Sequence, residues 1–324
     1  MFRSVLLCIT SLLISSSLGE ECTALSGLEI IVCGGGECRK TQATQDNLED
    51  AYKIIVENKN IPAVCKNTFV NLHRLDSLKI DASGIKSLEP SAFDNLPSLR
   101  NLIITNNNIP EINSGVFGNL LMRKLNLSSN GISKISSKAF ENMMNLEVLD
   151  LSSNKLKVFE NNWFEYTPKL YRLDFMHNQI AAIPENAFVN IIKNKQVKDN
   201  LELWFMYNSI DNIHKKAFNK IEKIQSLWLS HNLLNQIDVE VFANVQHIQT
   251  LYLDNNMFTC FEDNFLKHLK VKELDIDGNP IDCECLNKIK KLKRERDIEI
   301  QHLRIGLRCV LNKLRQFQDK EDLF

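Results

Sequence analysis

Apolar residues recur along most of the chain with a period of 23 or 24 residues, much longer than the period of one helix or strand. One full period places apolar or amide side chains at Leu99, Leu102, Ile104, Asn107, Ile109, Ile112 and Phe117. The Leu-x-Ile alternation predicts a short strand, because successive strand residues point to opposite faces. Each period therefore predicts one strand followed by a longer return segment.

The period is repeated about ten times. The amide position is filled by Asn107, Asn130, Asn154, Asn178, Asn208, Asn232, Asn256 and Asn279, with Lys59 and Ser83 in the first two copies. The phenylalanine position is filled by Phe69, Phe93, Phe117, Phe140, Phe164, Phe188, Phe218, Phe242 and Phe265. One copy is 30 residues long, with an insertion around residues 192–197. A single copy cannot bury enough apolar surface to stay folded, so neighbouring copies must stack and the ends must be capped.

This pattern resembles the leucine-rich repeat, and from about residue 50 to 282 the chain resembles extracellular leucine-rich-repeat proteins. The resemblance implies an α/β fold: a curved leucine-rich-repeat solenoid with a parallel β-sheet on its concave face and disulfide-stapled N- and C-terminal caps. The leucine, asparagine and phenylalanine positions are expected to be structural. The Asn side chain is expected to satisfy backbone groups that water cannot reach.

The N-terminus predicts secretion. Met1-Phe2-Arg3 precedes an apolar run, residues 5–14, and the small residues Ser17 and Gly19 offer a cleavage site. This is typical of a signal peptide, and the run is too short to span a membrane. No later stretch is apolar for long enough to predict a membrane span. We therefore expect a signal peptide at 1–19, a cysteine-containing cap at 20–50, repeats at 51–282, and a cysteine-rich cap with a short tail at 283–324.

Eight cysteines remain after residue 19, and an even number in an oxidising compartment predicts disulfides. Leu28–Cys33 predicts a strand and Gly34–Gly36 its turn. The N-terminal pairs are expected to be Cys22–Cys33 and Cys38–Cys65, although four cysteines allow three connectivities. The C-terminal segment resembles the family's cysteine-rich cap, in which C-x-C opens a helix. Cys260 and Cys283 each lie four residues after a repeat asparagine. This predicts Cys260–Cys283 and Cys285–Cys309, with Cys260–Cys285 and Cys283–Cys309 as the alternative.

Aromatic residues mark a candidate ligand surface on the outward side of the strands. Trp204, Trp228 and Tyr252 each lie between two inward residues of a strand, and earlier copies are mostly polar at this position. Exposed aromatic residues at this density favour a protein contact surface. The alternatives are that they stabilise the sheet or that the insertion covers them. The flanking candidates are Tyr171, Met176, His177, Met206, Tyr207 and His231, and the bordering acids are Asp150, Asp174, Asp254, Asp275 and Asp277.

Composition and motifs narrow the function classes. The 324 residues carry a formal net charge of −1, which argues against nucleic acid as the main partner. No nucleophile elbow, metalloprotease or phosphate-loop motif occurs, so we expect no enzyme activity, no cofactor and no metal. His177 and His231 lie two strands apart, too far to share a zinc ion. Asn126-Leu127-Ser128 is the chain's one N-glycosylation sequon, and a glycan there would lie on the same sheet face as the aromatic residues.

Within the family, the cysteine-containing first copy, the Ile- and Asn-rich repeats and the cap are most similar to short secreted leucine-rich immune proteins of insects. That resemblance implies innate defence by binding a microbial surface or an extracellular protein through the concave face. The alternative is an extracellular matrix or adhesion component that binds receptors or glycosaminoglycan through its basic C-terminal cap. The basic residues there include Lys288, Lys290, Lys291, Lys293, Arg294, Arg296, Arg304, Arg308, Lys313 and Arg315.

Overall fold

The computed structural model describes Leu25 and residues 27–191, 201–296 and 298–301. The chain divides into two compact units. The first unit comprises the chain up to Met122 together with Asn130–Met143, and the second comprises Arg123–Ser129 and the chain from Met144 onward. The signal peptide, the insertion around residues 192–197 and the C-terminal tail predicted from the sequence lie outside the described residues.

Short strands dominate the described residues. Up to Met143 the elements are β1 (Glu29–Gly34), β2 (Glu37–Gln42), α1 (Gln45–Glu49), β3 (Lys53–Glu57), β4 (Ala63–Val64), β5 (Phe69–Val70), β6 (Ser77–Asp81), β7 (Ser87–Leu88), β8 (Phe93–Asp94), β9 (Asn101–Thr105), β10 (Glu111–Ile112), β11 (Lys124–Asn126) and β12 (Lys134–Ile135). From Met144 they are β13 (Val148–Asp150), β14 (Arg172–Asp174), β15 (Ala182–Ile183), β16 (Glu202–Trp204), β17 (Asn212–Ile213), β18 (Lys223–Trp228), β19 (His247–Tyr252), α2 (Asp263–His268), β20 (Val271–Asp275), α3 (Cys283–Glu295) and β21 (Glu299–Gln301). Single-turn 3₁₀ helices occupy Asn161–Phe164 and Val239–Phe242.

In the first unit, the antiparallel hairpin β1–β2 starts a sheet that becomes parallel. β1 pairs antiparallel with β3, and β3, β6 and β9 then pair in parallel, one repeat apart. The return segments form small parallel pairs, β4 with β7, β5 with β8, and β10 with β12. The hairpin therefore covers the apolar end of this stack, as a cap must.

In the second unit, the sheet is parallel and in strict register through β11, β13, β14, β16, β18, β19, β20 and β21. The central residue of each paired triplet points inward and is buried: Leu125, Leu149, Leu173, Leu203, Leu227, Leu251, Leu274 and Ile300. The residues on either side of each central residue point to the opposite, outward face because strand side chains alternate. The predicted leucine-rich-repeat fold is therefore confirmed.

The asparagine positions hold adjacent copies together. The Asn232 side chain donates to the carbonyl oxygens of Phe205, Leu229 and Ser230 at 2.9–3.2 Å, and its oxygen accepts from the Ile210 N–H at 3.0 Å. The same pattern recurs at Asn178 and Asn256. The predicted structural role of these residues is confirmed. The repeat phenylalanines are likewise buried, and several stack ring on ring, as Phe69, Phe93, Phe117 and Phe140 do.

The predicted N-terminal disulfides are wrong for Cys33 and Cys38, which bond to each other. The strand and turn were predicted, but β2 then folds back on β1 and places Cys38 directly opposite Cys33, with 4.0 Å between their Cα atoms. Residues directly opposite each other on neighbouring antiparallel strands are close enough to be bridged by a disulfide. Cys65 is also disulfide-bonded, and Cys22 lies outside the described residues.

At the other end Cys260 bonds to Cys285, so the alternative pairing is confirmed for this pair and the preferred Cys260–Cys283 is wrong. The helix α3 begins at Cys283, with Asp282 accepting from the Cys285 N–H as its N-cap. Two residues turn a helix by about 200°, so Cys283 and Cys285 point to opposite sides, and Cys285 is the one that is buried. Cys283 is disulfide-bonded too, and Cys309 lies outside the described residues.

Within the described ranges, no helix combines the length and the apolar character that crossing a membrane requires.

Candidate interaction surface

One row of outward side chains crosses the sheet of the second unit. The strand register aligns Asn126, Asp150, Asp174, Trp204, Trp228, Tyr252, Asp275 and Gln301 on consecutive strands. We call this row the outward register, and its three aromatic members, Trp204, Trp228 and Tyr252, the aromatic column. All three aromatic residues are half-buried on this face rather than in the core, so the sequence placed them on the correct side of the strands.

Most polar side chains of the outward register stabilise the turn that follows their strand. The side-chain oxygens of Asn126, Asp150, Asp174 and Asp275 each accept a hydrogen bond from the backbone N–H two residues later, at 2.8–2.9 Å. Such a bond secures the turn by which the chain leaves the strand. An indole or phenol ring at this position has no oxygen within reach of that N–H. The residues of the aromatic column therefore lack the turn-stabilising hydrogen bond that the neighbouring Asp and Asn residues make.

The rings of the aromatic column stack face to face. The ring centroids of Trp204 and Trp228 are 4.8 Å apart with an interplanar angle of 11°, and those of Trp228 and Tyr252 are 5.6 Å apart at 20°. Trp204 donates its indole N–H to the Ser226 hydroxyl at 3.3 Å. The indole nitrogen of Trp228 is buried and has no hydrogen-bond partner among the described residues. Both faces of the Trp228 ring are covered, so the middle of the column offers its edge to a ligand.

A cation closes one end of the aromatic column. The Arg172 guanidinium carbon lies 4.9 Å from the Trp204 ring centroid, and Arg172 Nε donates to the Glu202 carboxylate at 2.6 Å. This hydrogen bond to Glu202 is the main cause that raises the pKa of Arg172. The guanidinium is therefore held over the ring by a cation–π contact and an ion pair together.

A carboxylate adjoins the other end of the aromatic column. The Tyr252 hydroxyl donates to Glu273 at 3.2 Å, and Glu273 also accepts from Thr250 at 3.3 Å and from the Gln301 amide. Burial, then the negative charge of Glu273, raises the pKa of Tyr252. The tyrosine is therefore a neutral donor at ordinary pH, fixed in place by an acid.

A second stack runs along the turns that follow the strands. Tyr207 is sandwiched between His177 and His231, with centroid distances of 4.3 and 4.2 Å and angles of 7° and 11°. All three adopt the left-handed backbone conformation, with φ between 53° and 56°, where non-glycine residues are uncommon. We call His177, Tyr207 and His231 the edge stack. The Tyr207 ring separates the two imidazoles, and no group of three metal-ligating side chains occurs among the described residues.

The remaining candidates are less closely joined. Met176 and Met206 are half-buried beside the edge stack, where their carbonyl oxygens accept from backbone N–H groups one copy earlier. Tyr171 precedes β14 and lies three residues before Asp174, so it is at the far end of the strand from the aromatic column. The structure thus joins three of the proposed residues in the aromatic column and three in the edge stack, with Tyr171 at the other end of β14.

Acidic side chains outnumber basic ones on this face. From β14 to β21, the outward register and the register two residues before it carry five carboxylates and one cation: Asp174, Glu202, Glu273, Asp275 and Glu299 against Arg172. Asp174 is only 6% exposed. Its burial is the main cause that raises its pKa to about 7, and the negative charge of Asp150 adds to the effect. Sequence reasoning named Asp174 and Asp275 but missed Glu202, Glu273 and Glu299 and the burial of Asp174.

Asn126 lies at the polar end of the outward register. Its amide nitrogen donates to Asp150 at 2.8 Å while its oxygen accepts from the Ser128 N–H. Three strand spacings of about 4.8 Å place it roughly 14 Å from Trp204. A glycan at Asn126 would therefore stand on the same face as the aromatic column, three strands away.

The basic cap uses several of its charges internally. Lys288 pairs with Asp263 and Glu284 at 3.4 Å, and Lys291 pairs with Glu295 at 3.7 Å. Lys293 and Arg296 donate to backbone carbonyl oxygens near β21 and α2. The remaining basic residues of the tail, from Arg304 onward, lie outside the described residues. In the described part of the cap, acidic side chains thus pair with two of the basic ones, Lys288 and Lys291.

Comparisons with known proteins agree with the repeat pattern. A family model described as a BspA type leucine rich repeat region matches residues 62–195 in six copies, and one described as leucine rich repeat matches residues 201–257 and 223–281. No curated protein sequence matches the chain. These matches support the repeat family and do not test the finer resemblance to insect immune proteins.

Solved structures share the fold. The chain is similar to one in a structure titled octameric complex of Latrophilin 3 (Lec, Olf), Unc5D (Ig, Ig2, TSP1) and FLRT2 (LRR), with 21% sequence identity and a TM-score of 0.52. The match covers 76% of this chain and 67% of that one. At this identity the likeness concerns the fold alone.

Proposed function

The chain is a leucine-rich-repeat protein, and from that premise we propose that it binds a protein partner on the outward sheet face of its second unit, without enzymatic activity. The aromatic column and the edge stack form the centre of the proposed site, and the surrounding carboxylates form its rim. An aromatic centre with a polar rim is the usual anatomy of a protein interface.

One observation carries the proposal. In the outward register, Asp and Asn secure the turns, whereas Trp204, Trp228 and Tyr252 make no such bond. Their presence on a half-exposed face is better explained by contact with a partner than by the needs of the repeat. Stacking does stabilise the sheet, by about 0.5–1.5 kcal/mol per aromatic pair beyond area burial, but a β-branched residue would serve a sheet equally well.

The proposals of secretion and of a role in innate defence rest on the sequence. The N-terminal apolar run supports secretion, and the disulfides Cys33–Cys38 and Cys260–Cys285 are in keeping with an oxidising compartment. We propose a role in innate defence, through a microbial-surface or extracellular protein ligand, because of the resemblance of the repeats and cap to secreted insect immune proteins. The multiprotein complex around the FLRT2 repeats is a property of that assembly, and it supports a protein partner here by analogy of fold.

A peptide selection tests the site. Peptides from a phage-displayed random library are selected on the immobilised full chain and are then titrated against purified variants. We expect Trp204→Ala with Trp228→Ala to weaken their binding tenfold or more, because truncation of central interface tryptophans typically costs 2 kcal/mol or more.

The control is Ile103→Ala, which removes an apolar side chain from the outward sheet face of the first unit. It should leave the affinity unchanged. Circular dichroism and the thermal midpoint establish that each variant is folded at the assay temperature, since the double variant loses a stacked pair. Equal binding of the selected peptides to the wild type and the folded double variant would reject the site.

A further inference from the structure

A half-open groove lies in the return segments of the second unit. It encloses about 260 Å³ between the 3₁₀ helix Val239–Phe242 and α2. Six apolar residues line it: Val239, Phe242, Ala243, Val245, Phe265 and Leu269. Three polar residues complete the lining: Glu240, His268 and Lys270. None of these residues belongs to the aromatic column or to the edge stack.

A change in the turn of the last copy opens this groove. In six earlier copies, the residue three positions after the repeat phenylalanine is buried, and its N–H donates to the carbonyl oxygen of that phenylalanine: Leu120, Met143, Thr167, Ile191, Ile221 and Val245. After Phe265 the chain is helical instead, and the bond comes from Leu269, four positions on. His268 therefore lies exposed at the position that is buried in those copies, and it lines the groove instead of filling it.

One cation of the lining has no counter-charge. The lining's carboxylate, Glu240, pairs with Lys215 at 3.0 Å. The Lys270 ammonium makes no ion pair or hydrogen bond within the part of the chain that the structure describes. The apolar groove is therefore bordered by a positive charge that is available to an anion.

A second cation compensates the C-terminal end of α2, which adjoins the groove. Carbonyl groups at such an end carry partial negative charge and would disfavour an anion. The Arg296 guanidinium donates to the carbonyl oxygens of Leu266 and Leu269 at 3.4 Å and also to that of Lys267. These carbonyl groups are thus already paired with a positive charge.

We propose that this groove binds one molecule of a medium-chain fatty acid, with its hydrocarbon chain against Phe242 and Phe265 and its carboxylate paired with Lys270. The inference goes beyond the proposed function, because it concerns a separate site and a ligand of another class. An apolar lining with one charged group at its border suits an amphiphile with a single anionic head.

The size of the groove selects the length of the chain. Its 260 Å³ is slightly below the range of about 300–1,000 Å³ that is usual for small-molecule sites, so it suits one slender chain. At roughly 30 Å³ for a group of the size of a water molecule, the groove holds about nine such groups. Decanoate carries a chain of this length.

Calorimetric titration of the full chain tests the ligand class, with each amphiphile kept below the concentration at which micelles form. We expect decanoate to bind about threefold or more tightly than 1-decanol, because an exposed ion pair is worth at most about fivefold in affinity. Hexanoate should bind roughly tenfold or more weakly than decanoate, because it buries fewer methylene groups.

Lys270→Met tests the head group. It should abolish the preference for decanoate over 1-decanol and leave the affinity for 1-decanol unchanged. Lys267→Met is the matched control, since it removes the same charge from an exposed position of α2 that does not line the groove. It should keep the preference.

Ala243→Phe tests the groove itself. Ala243 is exposed at the lining, so a ring there should fill the groove and abolish the binding of both amphiphiles in a chain that circular dichroism shows to be folded. Asn244→Phe, the control, adds the same ring at an exposed neighbouring position outside the lining and should leave binding unchanged.

Three outcomes overturn the inference: no saturable binding of decanoate, binding that survives Ala243→Phe, or a preference for decanoate that survives Lys270→Met. The Trp204→Ala and Trp228→Ala double variant should bind decanoate as the wild type does. Loss of decanoate binding in that variant would place the amphiphile at the aromatic column and would also overturn the inference. The peptide selection is unaffected by any of these results, so the proposed function is judged separately.

Discussion

At the scale of single residues, one position per copy either caps the turn or stacks with its neighbours. Asp150 and Asp275 cap the turn after their strands, and Asn126 does the same with an amide. Trp204 and Trp228 stand at the equivalent positions and stack instead. The cost to the fold is a few neutral or charge-assisted hydrogen bonds, each worth about 0.5–3 kcal/mol, which a repeat array of this size can lose.

Asp174 lies at the boundary between the strands whose residues cap a turn and the strands whose rings stack. It lies in the outward register beside Trp204 and caps its turn through the Met176 N–H at 2.9 Å, yet it is buried. Burial raises its pKa from the ordinary value of 3.8 to about 7. The folded state therefore holds this proton more tightly than the unfolded state, and stability falls as the pH rises from about 4 to about 7.

Asp174→Asn should remove this pH dependence. The wild type is expected to lose roughly 2–3 kcal/mol of unfolding free energy between pH 5 and pH 8 through this group, at about 1.4 kcal/mol per pH unit below its folded pKa. The amide keeps the turn bond, as Asn126 shows. Denaturant titrations followed by circular dichroism at both pH values measure the difference between the variant and the wild type.

Asp211→Asn, at an exposed carboxylate of the same unit, controls for the loss of one negative charge. The same pH dependence in Asp174→Asn and in the wild type would show that Asp174 is not the titrating group.

At the scale of the repeat, the asparagine is the element that ties one copy to the next. Asn232 serves three carbonyl groups and one N–H from two copies, and all of them lie where water does not reach. Its place was predictable from the sequence, because the amide recurs at a fixed distance from the strand. The same regularity made the inward leucines and the phenylalanine spine predictable.

Asn232→Ala should therefore destabilise the protein by about 3 kcal/mol or more, because several buried backbone groups lose their partner at about 1–3 kcal/mol each. Asn235→Ala, three residues later in the same copy, removes an exposed amide and should change the unfolding free energy by less than about 0.5 kcal/mol. Urea unfolding of the two variants compares them directly. Equal effects would mean that the buried hydrogen bonds contribute little.

The caps were less predictable than the repeats because they are not periodic. The strand and turn of the first hairpin were recognised, but its two-stranded register placed Cys38 opposite Cys33. In the second cap, the linear spacing of Cys283 matched that of Cys260, but the start of α3 turned Cys285 toward the core instead. In both cases the chain changes direction locally, which residue spacing does not reveal. That change determined which cysteine became the disulfide partner.

At the scale of the whole molecule, a formal net charge of −1 conceals a local imbalance. Acids collect on the outward face of the second unit, whereas Lys288 and Lys291 of the cap pair with Asp263, Glu284 and Glu295. The distribution favours a cationic partner at the sheet over a polyanion at the cap.

Heparin chromatography of the full chain tests this distribution. We expect elution at or below an ionic strength of about 0.15 M, because paired lysines contribute little to a field that is screened beyond about 8 Å there. Retention well above this salt concentration would favour the matrix or adhesion alternative and glycosaminoglycan binding at the cap. The Trp204→Ala and Trp228→Ala double variant serves as the control and should elute with the wild type.

The sequence by itself determined the number of copies, the inward and outward positions of each strand, and the placement of Trp204, Trp228 and Tyr252 on one face. It could do so because the repeat period and the strand alternation are rigid rules of the backbone. Only the tertiary structure decided which ring faces are covered, that the carboxylate of Asp174 is buried, and which cysteines form disulfides. Those outcomes depend on contacts between residues 22 to 30 positions apart, or on a turn in the chain, and on the water that each contact excludes.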